Sequence, residues 1–393
     1  QTNFGGGNFD RLLARVGGSF RPLLFAIRNS FRRRARLVLT LFTLAAGGLF
    51  FMAALNVRAS MINTLDRMFA TRKFDLSVAL RDTYDQDRVQ RAISNTPGVR
   101  RAEAWLASDA SLGRDEFTLI GLPADTQLLE PQIVDGRNLL PSDSDAVVVN
   151  TALAKRFSQM RVGQTVSLQI GGVAKSWRVV GVAREAFSPA IGYVPLSVLQ
   201  QQQSRVVNSL RFALDRTDED SIAAVKADID RRLEQNGVRA RGGSSKAENR
   251  FGYDQHMLMI YEFLIVMSTI IGGVGGLGLM TTMSLNVLER RREMGLLRAI
   301  GATPRMVWLM IVAEGVVIGV LSWAIAAVLA WPVSKLVGDA FVGMLFHAGL
   351  DFTFEARGLV IWLLVSVALS AVASFLPAWR ASRRTVSESL AYE

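Results

Sequence analysis

Residues 263–305 read FLIVMSTIIGGVGGLGLMTTMSLNVLERRREMGLLRAIGATPR. The first part, residues 263–288, carries no charge, and about 20 apolar residues are enough to cross the ~30 Å hydrocarbon core of a bilayer. The second part, residues 289–305, contains five arginines and two glutamates, as expected where a chain leaves the membrane. This stretch predicts an integral membrane protein.

Three further runs of the chain are long enough to span a bilayer. Residues 37–57 and 358–379 carry no charge, and residues 306–334 carry one, Glu314. Buried helices of a soluble protein are the alternative, but helices in soluble proteins average about 11 or 12 residues. We therefore predict four spans, with the remaining one at residues 258–288.

The arginine-rich flanks of the spans predict the orientation. The segment before the first span, residues 289–305 and the tail 380–393 are rich in arginine, whereas residues 335–357 hold one lysine and one arginine against three acids. Because cytoplasmic flanks are enriched in these residues, both termini are predicted to be cytoplasmic, with residues 58–257 and the loop 335–357 on the far side. A cleaved signal peptide is disfavoured, since the first apolar run is longer than a signal core and no small-x-small site precedes Arg58.

The N-terminal segment has a pattern of its own. Residues 1–21 are glycine-rich and typical of a linker, so we expect the chain to be the later part of something longer or a processed fragment. Residues 22–36 predict a short amphipathic helix in the cytoplasmic interface. Net charge is +11, and residues 1–57 hold eight arginines against one aspartate. A basic segment beside an apolar run is typical of a membrane flank, so no nucleic-acid partner is predicted.

Residues 58–257 are predicted to form a large extracytoplasmic α+β domain. A strand–helix–strand pattern at residues 74–106 recurs at residues 209–238. The insert between the two, about residues 117–203, is mostly β and includes a hairpin that turns at residues 171–172. Two such units separated by an insert indicate a split ferredoxin-like part with a β-rich insert.

No catalytic residue or metal site is predicted. The chain has no cysteine, only two histidines and no G-x-S-x-G motif, which argues against thiol, imidazole and serine chemistry. Acidic residues cluster at 82–87, 143–145 and 218–220, where a carboxylate pair or a Ca²⁺ loop is the alternative to helix N-caps and solvated turns. Their positions before helices and strands favour caps and turns, and none has the spacing of a calcium loop.

The segment 289–305 combines a charged, membrane-proximal stretch with a short helix. That helix is predicted to expose four apolar side chains: Met294, Leu296, Leu297 and Ile300. Gly301 is predicted to end it, and Thr303 and Pro304 to begin the next helix. Such a helix suits docking into a groove of a partner protein. A positive-inside loop that only anchors the topology is the alternative, and composition leaves the two open.

Residues 289–302, ERRREMGLLRAIGA, resemble the coupling-helix signature of FtsX-like permeases, the MacB/LolC-type (type VII) subunits of ABC transporters. The resemblance extends to Glu314 and Gly315 in the following span and to residues 376–384 of the tail. It covers most of the chain. One departure lies at residues 385–386, Thr-Val, where many relatives have Asp-Pro.

The resemblance implies that ten residues couple the permease to an ATPase. They are Glu289, Arg290, Arg292, Glu293, Gly295, Leu296, Leu297, Arg298, Ala299 and Gly301. The expected partner is a separate cytoplasmic ABC ATPase that binds ATP and Mg²⁺, in agreement with the lack of a G-x-x-x-x-G-K-[ST] phosphate loop in this chain. Leu296 and Leu297 are expected to be the buried anchors of that contact, and Arg291 to face solvent or lipid headgroups.

The resemblance also implies a function and a location. Such permeases transmit ATP-driven motion of the ATPase to the external domain, for export or extraction of a lipid, lipoprotein, peptide or drug. A regulator that activates cell-wall hydrolases is the alternative, and a membrane-anchored sensor is a weaker one. The expected location is the bacterial inner membrane, in contact with membrane lipids. The expected permease partner is a homodimer copy or a second module, since the chain fits the second module of a longer two-module permease, and a periplasmic adaptor is a further candidate partner.

Small residues and one acid are notable within the predicted spans. Two G-x-x-x-G pairs occur: Gly272 with Gly276, and Gly315 with Gly319. Such pairs favour close helix packing, either within the chain or in a dimer. Glu314 follows Arg305 by nine residues, roughly 13 Å of helical rise. Because a charge within a span is costly unless it is paired or near the interface, pairing or snorkelling is favoured over proton coupling.

Overall fold

The computed structural model describes residues 34–346 and 351–383. The predicted linker, residues 22–33 of the predicted interfacial helix and the tail after residue 383 lie outside these residues. The chain divides into two compact units. Among these described residues, the helical unit comprises residues 34–59, 258–338 and 352–383, and the sheet unit comprises residues 60–257, 339–346 and 351.

Four helices are long and apolar enough to cross a membrane. They are α1 (Arg34–Thr71), α6 (Lys246–Glu289), α8 (Pro304–Phe346) and α9 (Arg357–Ser382). Each contains one predicted span, but α1 continues past the predicted boundary at residue 58, because residues 58–71 contain neither glycine nor proline to end it. Likewise α8 continues through Pro332 to Phe346, so the first part of the predicted loop 335–357 is helical.

Apolar and small polar side chains hold the helical unit together. Leu44 of α1, Leu279 of α6 and Ile318 of α8 belong to one buried cluster. Hydrogen bonds join the helices where the side chains are polar: Thr40 and Thr282 lie 3.0 Å apart, and Asn56 Nδ2 donates to Ser334 Oγ at 3.0 Å. Within lipid such groups need partners of this kind, since no water satisfies them.

The sheet unit is built on ten strands. They are β1 (Leu76–Asp85), β2 (Val99–Leu112), β3 (Asp115–Leu122), β4 (Gln132–Gly136), β5 (Ala146–Asn150), β6 (Thr165–Ile170), β7 (Val173–Arg184), β8 (Ile191–Pro195), β9 (Val206–Leu214) and β10 (Ala240–Ser245). The helices are α2 (Gln86–Ile93), α3 (Thr151–Arg156), α4 (Leu196–Gln203) and α5 (Glu219–Gln235). The strand order is β10-β1-β9-β2-β3-β8-β5-β7-β4, and β6 pairs with both β2 and β7.

The two predicted strand–helix–strand units interleave in the first four strands of this order. β1 pairs antiparallel with β10 and β9, and β9 pairs antiparallel with β2. Val89 of α2 and Ile229 of α5 join the core that the strands form with Phe212. Each unit therefore contributes two strands and one helix to a split ferredoxin-like layer, which confirms the predicted fold class.

The β-rich insert runs from β3 to α4, close to the predicted residues 117–203. Its hairpin β6–β7 turns at Gly171 and Gly172, whose φ angles of +55° and +82° suit a two-residue hairpin turn. β2 is long enough to serve both parts, because its first half pairs with β9 and its second half pairs with β3. The ferredoxin-like part and the insert thus share one mixed sheet.

Candidate functional site

The predicted short helix is α7 (Arg291–Ala299), and its end is built by backbone geometry. Gly301 has φ +105°, the left-handed conformation that glycine adopts readily. The Ala302 N–H donates to Leu297 O at 3.0 Å, and the Gly301 N–H donates to Arg298 O at 3.1 Å. These two bonds form the Schellman arrangement that ends a helix.

The next helix, α8, begins as the sequence predicts. The Thr303 Oγ1 accepts a hydrogen bond from the Met306 N–H at 3.3 Å, which satisfies one free donor of the first turn. Pro304 occupies the first helical position, where its missing N–H costs nothing. The Gly301 turn and the Thr303 cap therefore determine where α7 ends and where α8 begins.

One side of α7 packs on the helical unit. Met294 contacts the buried cluster of Val307, Ile311 and Ala378. Leu297 is half-buried and lines a small gap that Glu314 also lines. The expectation that Met294 and Leu297 are exposed is therefore wrong. Met294 and Leu297 are three residues apart and therefore lie on the same side of α7, the side that packs against the helical unit.

The other side of α7 is open and is defined as the outer face. It consists of Arg292, Glu293, Leu296 and Ala299 together with Ile300, the residue directly after α7, and all five are exposed. Leu296 is 61% exposed and Ile300 is 75% exposed, so two large apolar side chains project from a helix whose opposite side is fixed. Of the two predicted anchor leucines, only Leu296 belongs to this face.

Charged pairs tie α7 to its neighbours. Arg290, the residue before α7, contacts Glu293 at 2.9 Å and Glu314 of α8 at 3.4 Å. The Glu314 side chain is only 5% exposed, so this is a nearly buried ion pair. Glu289 lies 3.7 Å from Arg36 of α1. Glu314 is thus paired at a helix contact, one of the two arrangements favoured for it above.

The G-x-x-x-G glycines contact other helices of the same chain. A Cβ at Gly276 would meet Leu369 of α9, and a Cβ at Gly272 would lie 3.5 Å from Trp362. At Gly315 and Gly319 a Cβ would collide with side chains of α9, namely Ser374 and Ser370. These four glycines therefore bring helices of one chain together, whether or not a dimer also forms.

The acidic clusters of the sheet unit have structural partners. Asp85 accepts from the Arg88 N–H and Asp218 from the Ser221 N–H, both at 3.0 Å, as N-caps. The hydrogen bond from Ser221 lowers the pKa of Asp218. The hydrogen bond from Arg137 lowers the pKa of Asp143, whose carboxylate lies 2.7 Å from that guanidinium. Among the described residues no group of three His, Asp or Glu is arranged to hold a metal ion.

A buried polar cluster in the sheet unit has no signal in the sequence. Glu103 accepts hydrogen bonds from Arg101, Trp105 and Thr126 at 2.9, 3.1 and 2.6 Å. Arg211 lies over the Trp105 ring at 4.8 Å, and burial lowers its pKa to about 10. It therefore stays charged at neutral pH. These residues come from β2, β9 and a loop, which only the folded sheet brings together.

Two protein-family models match this chain, each over a different part of it. The model of the FtsX-like permease C-terminal family matches residues 265–386, and that of the MacB-like periplasmic core domain matches residues 37–232. The macrolide export ATP-binding/permease protein MacB of Agrobacterium fabrum is 24% identical over 78% of this chain and 46% of its own length. The ABC transporter permease YtrF of Bacillus subtilis is 29% identical over 34% of this chain and 33% of its own length. The chain thus spans less than half the length of these relatives.

Two solved structures are similar to part of the chain. The extracellular domain of the transporter YknZ from Gram-positive bacteria matches with a TM-score of 0.33 and 16% identity, covering 44% of this chain and 98% of that one. The periplasmic region of MacB from Actinobacillus actinomycetemcomitans matches with a TM-score of 0.34 and 12% identity, covering 50% and 97%.

Together the two family models cover most of the helices and strands described above. The periplasmic core model begins within α1 and ends within α5. The permease model runs from within α6 to residue 386, past the end of α9, and includes α7 and Glu314. With its four apolar helices, the chain is a multi-pass membrane protein. It belongs to the FtsX-like permeases of ABC transporters and carries a MacB-like periplasmic core domain.

Proposed function

We propose that this permease transmits ATP-driven motion of a cytoplasmic ATPase to the sheet unit, and that the outer face of α7 docks into that ATPase. The observation that carries the proposal is the pair of exposed apolar side chains, Leu296 and Ile300, on a helix fixed from behind by Met294. Apolar anchors beside charged residues are the usual composition of a protein docking surface.

The route from α7 to the sheet unit is supported by the helix bounds. Met294 packs against side chains of α8 and α9, and Arg290 forms an ion pair with Glu314 of α8. A displacement of α7 would therefore move these helices with it. α6 is one uninterrupted helix from Lys246, directly after β10, to Glu289. Because α6 joins the last strand of the sheet unit to α7 along the chain, it is the proposed route by which a displacement of α7 reaches that unit.

The ATPase is either a separate subunit or a further part of the same protein. The resemblance of residues 289–302 implies a separate subunit, whereas the Agrobacterium relative is named an ATP-binding/permease protein and is longer than this chain. The outer face of α7 serves either arrangement. The cargo proposed is a lipid, lipoprotein, peptide or drug, and the permease is proposed to act with a second copy or module and, for export, a periplasmic adaptor.

ATP turnover tests the proposed division of labour. The chain alone is expected to hydrolyse no ATP, because it has no phosphate loop. Adding the ATPase encoded with it should give turnover that depends on the permease in a reconstituted bilayer. The measurement is phosphate release by each component and by the complex. Turnover by the purified chain that survives removal of contaminating ATPases would contradict the proposal.

Cysteine labelling tests the proposed orientation, with α7 and both termini in the cytoplasm of a bacterium. The chain has no cysteine, so single variants need no background changes. Arg114→Cys, in the exposed turn between β2 and β3, is expected to react with an impermeant maleimide in intact spheroplasts. Ala302→Cys is expected to react only after lysis. Labelling of Ala302→Cys alone in intact spheroplasts would reverse the orientation.

A further inference from the structure

A pocket of about 150 Å³ lies where the ends of α6 and α9 meet the start of α7. Its lining includes Leu288 of α6, Arg291 and Met294 of α7, and Pro377, Arg380 and Ala381 of α9. Most of these side chains are apolar or small, but two are arginines from different helices. None of the residues of the outer face of α7 lines it, so the pocket is distinct from the proposed ATPase contact.

The two arginines differ from their charged neighbours. Arg290 and Arg36 are paired with Glu314 and Glu289, respectively. By contrast, neither the Arg291 nor the Arg380 side chain has an acidic partner within residues 34–346 and 351–383. The Arg291 Nε, like the Arg36 Nη1, is also enclosed without a hydrogen-bond partner. The half-buried Arg291 and the exposed Arg380 thus bring two positive charges without acidic partners to one pocket, and such a pair favours a negatively charged ligand.

The surroundings of the pocket indicate where that anion comes from. Leu288 of the lining is exposed, as is Leu285, and both belong to α6, a helix that has the length and composition of a membrane span. Trp379 of α9 is exposed as well, and Arg383 lies 4.4 Å from the centre of its ring. Tryptophan and arginine at the end of a span are typical of the headgroup level of a membrane.

We propose that this pocket binds the phosphate group of an anionic phospholipid, between Arg291 and Arg380. The acyl chains would lie along the exposed apolar side chains of α6. Arg291 belongs to α7 and Arg380 to α9, so a bound phosphate would fasten the start of α7 to the end of α9. The proposal depends on the chain being a membrane protein and does not depend on ATPase docking.

Lipid retention tests this site on the full chain in detergent. Phosphatidylglycerol is added and bound copies are counted by native mass spectrometry, with phosphatidylcholine as the zwitterionic comparison. We expect one tightly held phosphatidylglycerol. Arg291→Gln and Arg380→Gln should each weaken its binding by about tenfold, since hydrogen bonds between charged groups are the strong ones. Ala381→Leu, which fills the pocket without changing a charge, should weaken binding too.

The matched control is Arg305→Gln, an exposed arginine at the start of α8 that does not line the pocket. Equal loss of lipid in this variant would overturn the proposal, because general attraction to positive charge would then explain binding. Unchanged binding in both arginine variants and in Ala381→Leu would also overturn it. Soluble glycerol phosphate is the remaining probe: if it displaces the lipid at equal concentration, the ligand is a free phosphate compound and the lipid assignment is wrong.

Discussion

Replacing Leu296 and Ile300 together by alanine is expected to release the ATPase from the permease. Both side chains project from the outer face of α7, and neither is needed to hold that helix, which Met294 anchors from the opposite side. Truncating an interface anchor commonly costs about 2 kcal/mol or more, a loss of roughly 30-fold in affinity. The double variant should therefore lose at least that much affinity while its insertion and thermal stability stay unchanged.

The measurement is co-purification of the ATPase with the permease, together with permease-dependent ATP turnover. Leu309→Ala is the matched control, because Leu309 is also exposed but lies on α8 rather than α7. Leu297→Ala is a second comparison. Because Leu297 is half-buried and lines the small gap that Glu314 also lines, this variant should lower the stability of the permease more than its affinity for the ATPase.

The alternative interpretation of the segment predicts a different ranking of variants. If residues 289–305 only anchor the topology, replacing the leucines should have no effect on the orientation of the chain in the membrane, whereas replacing an arginine should weaken it. Full ATPase association and full turnover in the Leu296→Ala/Ile300→Ala variant would support that alternative and remove the docking proposal.

Much of the fold could be predicted from the sequence because its strongest signals are local. Each predicted span lies within one long helix, and the repeated strand–helix–strand pattern predicts the ferredoxin-like part. Gly301 and Thr303 predict the ends of neighbouring helices, since backbone conformation and capping depend on adjacent residues alone. Signals of this kind do not depend on distant parts of the chain.

Features that depend on tertiary packing could not be predicted in the same way. Residues 58–71 contain polar residues that suggest an end to α1, yet polar residues do not break a helix, and α1 continues to Thr71. The joining of ferredoxin-like part and insert depends on the length of β2, which alternation alone does not fix. The end of α1 and the length of β2 are both determined by packing against the rest of the chain.

The candidate site also has a part that the local sequence predicts and a part that tertiary packing determines. Its position in the chain is evident from residues 289–305, but the side that faces outward is set by the contact of Met294 with Val307 and Ile311. Periodicity indicates an apolar side of this helix but does not determine which of its apolar residues pack inward and which remain exposed. Leu297, which the sequence predicts to be exposed, lies half-buried, and Arg291, which is predicted to face solvent or lipid headgroups, lines a pocket.

Breaking the pair between Arg290 and Glu314 is expected to cost more stability than any other single change at this site. The Glu314 carboxylate is 5% exposed and lies 3.4 Å from Arg290, so Arg290→Met leaves a buried charge without its partner. Removing one member of a buried pair typically costs about 3 to 5 kcal/mol. The measurement is thermal unfolding of the detergent-solubilised chain, in which we expect the midpoint to fall by several degrees.

The double variant Arg290→Met/Glu314→Gln separates the pair from other effects. Removing both charges leaves no uncompensated carboxylate, so most of the lost stability should return. Arg305→Met is the matched control for losing an arginine at this end of the helices, because Arg305 is exposed at the start of α8. If Arg290→Met melts like this control, Glu314 does not depend on Arg290. Proton coupling or snorkelling would then be the better account of an acid in this span, and packing such as that of Met294 would hold α7 to α8.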